Sequence, residues 1–231
     1  MLQRPISRIY RHAYLLVALL LMVFARPFFA AQNADIGLLD VLLMLTLLSA
    51  VFVSAQSRAS WFTIVTLAIV VVTSRVLEAG DAPPAWCAAL FLMSMVLFNL
   101  GVALLLLQHI FQRQDRITTD AILGAISAYL LLGVAWACAF CLLAYYEPGS
   151  FDFGSRLAEE PRHQFWTFLG FSYTTLTTLG YGNISPTTPR ADALANSQAI
   201  VGQFYVAVLI GRLVSMQLSQ RPAAPDDAEN P

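Results

Sequence analysis

The stretch His163-Gln164-Phe165-Trp166-Thr167-Phe168-Leu169-Gly170-Phe171-Ser172-Tyr173-Thr174-Thr175-Leu176-Thr177 runs directly into Thr178-Leu179-Gly180-Tyr181-Gly182-Asn183. It is apolar and aromatic, and Glu159-Glu160-Pro161 stand before it. Acidic residues and a proline at a helix start suit the unpaired amides and the positive end of the helix dipole. About 15 residues make about 22 Å of helix, short of the ~30 Å hydrocarbon layer of a membrane. The segment is therefore expected to dip into a membrane and return. Pro186 and Pro189 would keep the exit extended.

Irregular backbone at membrane depth is tolerated only where it is buried in protein or lines an aqueous path. Thr178-Leu179-Gly180-Tyr181-Gly182 has a use there. Glycines adopt backbone angles barred to other residues, so successive carbonyls can point one way. Several copies around an axis could then replace the water shell of a monovalent cation. A preceding half-helix would aim the negative end of its dipole at the same centre.

Thr177-Thr178-Leu179-Gly180-Tyr181-Gly182 resembles the pore loop of the potassium channel superfamily, with Leu179 where the family has Val. The resemblance to the whole pore module covers about residues 121–217, under half of the chain. It implies a pore helix over 161–177 and a selectivity filter over 178–182. Carbonyls of Thr178, Leu179, Gly180 and Tyr181 and the Thr178 hydroxyl would hold the ion, with Gly182 closing the motif and Thr177 and Asn183 flanking it. An ordinary glycine-rich turn would need no aromatic half-helix before it. Gly202 lies 20 residues beyond Gly182, where members of the superfamily often carry a hinge glycine. A small residue for close helix packing is the competing reading. Two departures stand out. Asn183 replaces the Asp of many members, and Thr174 the Glu of some bacterial ones, so a carboxylate pair behind the filter is not available. Asn183-Ile184-Ser185 also fits a glycosylation sequon, but a glycan there would crowd the pore mouth.

Outward from this segment the chain reads as membrane protein. Of 231 residues, 58% are hydrophobic and 12% charged, about half the charge of an ordinary soluble domain. That excludes a disordered chain, a fibre and an ordinary cytosolic enzyme. A net charge of -1 invites no nucleic acid. All 13 basic residues are Arg, read as a composition bias. Cys138 and Cys141 form a Cys-x-x-Cys inside an apolar helix and read as small fillers rather than redox or metal residues. No nucleophile–base set, metal-ligand cluster or phosphate loop points to an enzyme, a cofactor or a metal other than the permeant cation.

Six spans are expected: Ala13 to about Ala30, about Asp35 to Ala55, Ser60–Ser74, one within Ala82–Gln112, Ala121–Tyr146, and about Ala193–Gln217. Ala82–Gln112 carries no Asp, Glu, Lys or Arg and is long enough to protrude beyond the membrane. Arg4, Arg8, Arg11, Arg58, Arg113, Arg116, Arg212 and Arg221 fall on one side, which is therefore assigned to the cytoplasm with both termini. Arg26, Arg75, Arg156, Arg162 and Arg190 share the other side with seven acidic residues, so that face is mildly acidic. The start also fits a secretory signal peptide ending near Ala30-Ala31-Gln32-Asn33-Ala34, although Arg26 and Pro27 suit an anchored span better. Asp40 would pair with Arg26 or Arg75 or sit at the interface, and His109 reads as interfacial. Asn196, Ser197, Gln198 and Gln203 are polar on the last span and should face water or hydrogen-bond between helices.

The expected architecture is an all-α membrane protein with six transmembrane helices and a re-entrant pore helix and filter loop between the fifth and sixth. Residues 1–12 form a cytoplasmic start, 13–112 a four-helix domain, 113–120 a linker, 121–217 the pore domain and 218–231 a disordered tail. The four-helix domain takes the place of a voltage sensor but lacks its repeated Arg. The resemblance implies a potassium-selective, passively conducting homotetramer in the inner membrane of a bacterial cell, with the lipid bilayer and potassium ions as its partners. A poorly selective cation channel and a non-conducting scaffold or regulatory subunit are the rivals. A potassium-uptake transporter would need four such loops in one chain, and here there is one.

Overall fold

The computed structural model describes residues 11–24, 41, 44–51, 58–78, 84, 86–112, 119–154 and 161–219. Its elements are α1 (Arg11–Phe24), α2 (Arg58–Glu78), α3 (Trp86–Gln112), α4 (Thr119–Tyr146), β1 (Phe151–Asp152), α5 (Pro161–Leu176), β2 (Ser185–Pro186) and α6 (Pro189–Ser219). Residues 44–51 are also helical. Among the described residues, four helices (α2, α3, α4 and α6) are long and apolar enough to cross a membrane, and α1 is a shorter apolar helix. Most of the second expected span, Asp40, the segment with Arg26 and Pro27, the linker residues 113–118 and the tail from residue 220 lie outside the described residues, as does the side chain of His109.

The helices are apolar on every side, which is how a span differs from a surface helix of a soluble protein. In α1, Leu15, Ala18, Leu19 and Met22 are buried at helical spacing, while Val17, Leu20, Leu21 and Phe24 remain exposed. In α2, Ile64, Val71 and Ser74 form the buried face, and Phe62, Ile69 and Val76 point outward. α3 packs between α2 and α4, α1 lies on α4, and α5 sits between α4 and α6. α4 is thus the hub, with Ala128, Leu131, Ala137 and Phe140 fully enclosed. Cys138 and Cys141 are buried there among apolar neighbours.

Boundaries follow local chemistry. α3 begins at Trp86, four residues inside the expected stretch, because the Pro84 carbonyl accepts from Cys87 N–H at 2.9 Å and closes the first turn. α6 begins at Pro189 rather than near Ala193. Proline suits a first helical position, and the Thr188 carbonyl and hydroxyl accept from Asp192 N–H (3.0 Å) and Ala191 N–H (3.4 Å).

One end of the bundle gathers the start of α1, the end of α3, the start of α4 and the last third of α6. His12 Nδ1 is 3.0 Å from Asp120 Oδ2, and the His12 ring lies against Gly124. Arg212 donates to the Phe111 carbonyl at 3.0 Å, with its guanidinium 5.5 Å from the Phe111 ring centre. A cation at the C-terminus of α3 is favoured by the helix dipole.

Candidate functional site

The site begins at the C-terminal end of α5. The Tyr173 carbonyl accepts from Thr177 N–H at 3.0 Å, and the Thr175 carbonyl from Thr178 N–H at 3.0 Å. The Thr174 carbonyl takes two donors, Leu179 N–H at 2.8 Å and Gly180 N–H at 3.1 Å. The amides that follow the helix are therefore tied back to the helix that precedes them.

The backbone then alternates. Thr178, Gly180 and Gly182 have φ of 57°, 56° and 70°, whereas Leu179 and Tyr181 are not left-handed. Two of the three left-handed positions are glycine, where this costs little. At Thr178 it costs about 1–2 kcal/mol, a conformation that persists only when its surroundings fix it. Here they do: its N–H is bound to Thr175, its hydroxyl donates to the Thr177 carbonyl at 2.7 Å, and Gln203 Nε2 lies 3.4 Å from that hydroxyl oxygen. Among the described residues no hydrogen bond is made to the carbonyls of Thr178, Leu179, Gly180 or Tyr181. The strand thus offers a row of unpaired carbonyls while its first three amides, those of Thr178, Leu179 and Gly180, are engaged. Leu179 and Tyr181 are 57% and 72% exposed in the single subunit.

Three helices brace this end from behind. Ser172 and Gln198 are both fully buried. The Gln198 amide donates to Ser172 Oγ at 2.7 Å and to the Ser172 carbonyl at 3.0 Å, and Ser172 Oγ donates onward to the Gly133 carbonyl at 2.7 Å. Turning the Gln198 amide over would set oxygen against the Ser172 carbonyl, so its orientation is fixed. Tyr173 donates to the Leu130 carbonyl at 2.8 Å and Tyr129 to the Leu176 carbonyl at 3.1 Å. Gly133 is required for this approach: a Cβ there would fall into the Tyr173 ring, 2.7 Å from Cζ. On the other flank, α6 closes on α5 at Gly202, where a Cβ would collide with the Leu176 carbonyl oxygen.

The outer side is pinned by a short antiparallel pair, Phe151 opposite Pro186 and Asp152 opposite Ser185. Phe151 is wedged among Phe140, Phe168 and Phe171, with ring centres 4.9–5.8 Å apart. Thr187 N–H donates to the Ser150 carbonyl at 2.9 Å. The exposed Arg190–Glu147 pair, at 3.6 Å, adds little.

The expected site residues Thr177, Thr178, Leu179, Gly180, Tyr181, Gly182 and Asn183 form one continuous stretch beyond α5, which ends at Leu176 rather than Thr177. Gly202 lies in an unbroken helix against the end of α5. Thr174 donates only locally, to the Phe171 carbonyl at 2.9 Å, and the Asn183 side chain makes no hydrogen bond among the described residues. The hydrogen bonds that tie the end of α5 to α4 and α6 come from Ser172, Gln198, Tyr129 and Tyr173. Of the polar residues on the last span, Gln198 bonds between helices, while Asn196, Ser197 and Gln203 are exposed. Sequence reading missed Tyr129, Gly133, Ser172 and Tyr173 as a bracing set. Ser172 alone carried a signal, as a small polar residue on an aromatic helix.

Residues 126–218 match a family model described as an ion channel. This is a family of channels and not of enzymes. A two pore potassium channel c from Oryza sativa subsp. japonica is 34% identical over 91 residues, which cover 39% of this chain and 18% of that protein. The chain therefore spans under a fifth of that relative's length. No solved structure gives a match. These likenesses support ion-channel function for the segment from α4 to α6, and with the apolar helices they support a multi-pass membrane protein.

Proposed function

We propose that the chain is one subunit of a potassium-selective channel, in which four copies surround a single conduction path. The observation that carries this reading is the stretch 178–182, where left-handed backbone recurs at every second residue and the carbonyls of 178–181 have no donor among the described residues. Unpaired carbonyls are costly unless water or an ion meets them. One chain supplies one wall of such a cage, and a dehydrated monovalent cation needs a closed ring. The exposure of Leu179 and Tyr181, and of Ile200, Phe204 and Val208 on α6, supports further copies packed against this face.

On this reading α5 is a re-entrant pore helix. Its last carbonyl meets Tyr129, ten residues into α4 and hence about 15 Å along it. The negative end of the α5 dipole and the row of carbonyls both favour a cation. Potassium crosses by exchanging water for Thr178, Leu179, Gly180 and Tyr181 carbonyls and the Thr178 hydroxyl, with no covalent step. The first four spans surround the pore in the cell membrane, and the Arg-rich end, with both termini, faces the cytoplasm. The Asn183 side chain, which makes no hydrogen bond among the described residues, favours as a second reading a more permissive cation filter.

Purified protein in lipid vesicles tests this. Potassium efflux should exceed sodium efflux, and native mass measurement in mild detergent should give four copies. A conducting monomer or dimer would overturn the tetramer, and equal efflux of the two ions would favour the permissive reading.

A further inference from the structure

The absent side chain of Gly202 has a consequence one residue further on. Because α6 lies directly against the Leu176 carbonyl there, Gln203 is carried to the inner rim of the 178–182 strand. Its Nε2 reaches to 3.4 Å from Thr178 Oγ1, while the rest of the side chain stays exposed. The Thr178 proton is already committed to the Thr177 carbonyl at 2.7 Å. The amide therefore points its positive end at a lone pair of the oxygen that, on the channel reading above, meets the innermost cation.

We propose that Gln203 sets how long a cation stays at the innermost filter position. A hydroxyl oxygen has two lone pairs. With one turned towards the Gln203 amide, Thr178 has one left for the ion, and the amide dipole opposes a positive charge beside it. Conduction needs sites strong enough to fill and weak enough to empty. Gln203 supplies the weakening on the side where the ion meets the water-filled vestibule, so the site does not become a trap. This role is separate from selectivity, which belongs to the backbone carbonyls.

The inference rests on the channel reading, and the test separates the two. Single-channel current from the full-length protein in planar bilayers is recorded against potassium concentration on the side of the α6 C-terminus. Gln203→Met keeps the length of the side chain and removes the donor. Its half-saturating potassium concentration should fall by about two- to tenfold, the factor that one ordinary hydrogen bond represents, and its maximal current should fall with it. Gln203→Glu, an acceptor with a negative charge, should fall further. An unchanged or raised half-saturating concentration in Gln203→Met, with potassium selectivity intact, overturns the proposal. Absence of any potassium current in the wild type overturns the channel reading beneath it.

Discussion

Where α4, α5 and α6 meet, hydroxyls and a buried amide join helix to helix: Gln198 to Ser172, Ser172 to Gly133, Tyr173 to Leu130 and Tyr129 to Leu176. Between α2 and α3 a hydroxyl pair, Ser74 and Ser94, lies 3.2 Å apart. Asn99, buried in α3, bonds within its own helix to the Met95 carbonyl at 2.7 Å. Ile64, Val71, Phe91, Met95 and Phe98 are buried apolar residues of these two helices, and the Arg75 guanidinium lies 5.7 Å from the Phe91 ring centre. Apolar packing specifies proximity but tolerates small slides, whereas a hydrogen bond fixes a separation to a few tenths of an ångström. Among the described residues, α4, α5 and α6 are joined by hydrogen bonds where they meet, whereas α2 and α3 pack chiefly through apolar side chains.

The largest effect should come from the glycines of the proposed filter. Alanine at Gly180 or Gly182 forces left-handed backbone on a residue with a Cβ, at about 1–2 kcal/mol per subunit. Conduction should be lost in vesicle flux while insertion and helical content by circular dichroism remain. Wild-type flux in both variants would break the assignment.

Next come two other glycines, one from each region. Gly133→Ala drives a methyl into the Tyr173 ring and should destabilise the protein by about 1–3 kcal/mol, read as a lower Tm in detergent. At Gly101 in α3 the added Cβ would meet Leu67 Cδ1 at 3.5 Å, an ordinary contact, so Gly101→Ala should be neutral or slightly stabilising through helix propensity. Equal losses at both would erase the contrast between the regions. Gly202→Ala sharpens it further. The obstacle is the Leu176 carbonyl rather than a flexible side chain, so this variant should shorten stable conduction through the filter. Changed opening rates with an unchanged open filter would instead restore the hinge reading.

A smaller effect is expected for hydroxyls. Ser172→Ala removes the Oγ bonds to the Gln198 amide and the Gly133 carbonyl while the Gln198 bond to the Ser172 carbonyl remains, and should cost about 1–3 kcal/mol. Ser74→Ala should cost less than about 1 kcal/mol, as exchanges of interhelical hydrogen bonds in membranes do. Denaturant titration of the two variants compares them directly. The smallest effect is that of voltage. α3 holds no Arg or Lys, and each charge crossing the field contributes about 2.3 kcal/mol per 100 mV. Open probability should change little between hyperpolarised and depolarised potentials.

Much of this was legible in the sequence, for physical reasons. Apolar runs of about 20 residues are local signals, and α2, α3, α4 and α6 follow them to within a few residues. Pro189, expected to keep the exit extended, instead opens α6, because its fixed φ suits a first helical position. Left-handed backbone at Gly180 and Gly182 was legible because such angles favour glycine, whereas at Thr178 no glycine marked it. The brace was not. Gly133 and Tyr173 are 40 residues apart, and their dependence exists only once α4 and α5 are in contact. Gln198 announced itself as polar in an apolar helix, but its partner did not. Gly202 was read equally as hinge or packing point, because a missing side chain looks the same in both roles until the neighbouring carbonyl is located.

The central claim is that backbone carbonyls at 178–181 choose potassium. Reversal potential under bi-ionic conditions, potassium on one side of a planar bilayer and sodium on the other, tests it most directly. The account predicts reversal far from zero, on the side set by potassium permeability. Reversal near zero, with robust current, would contradict it.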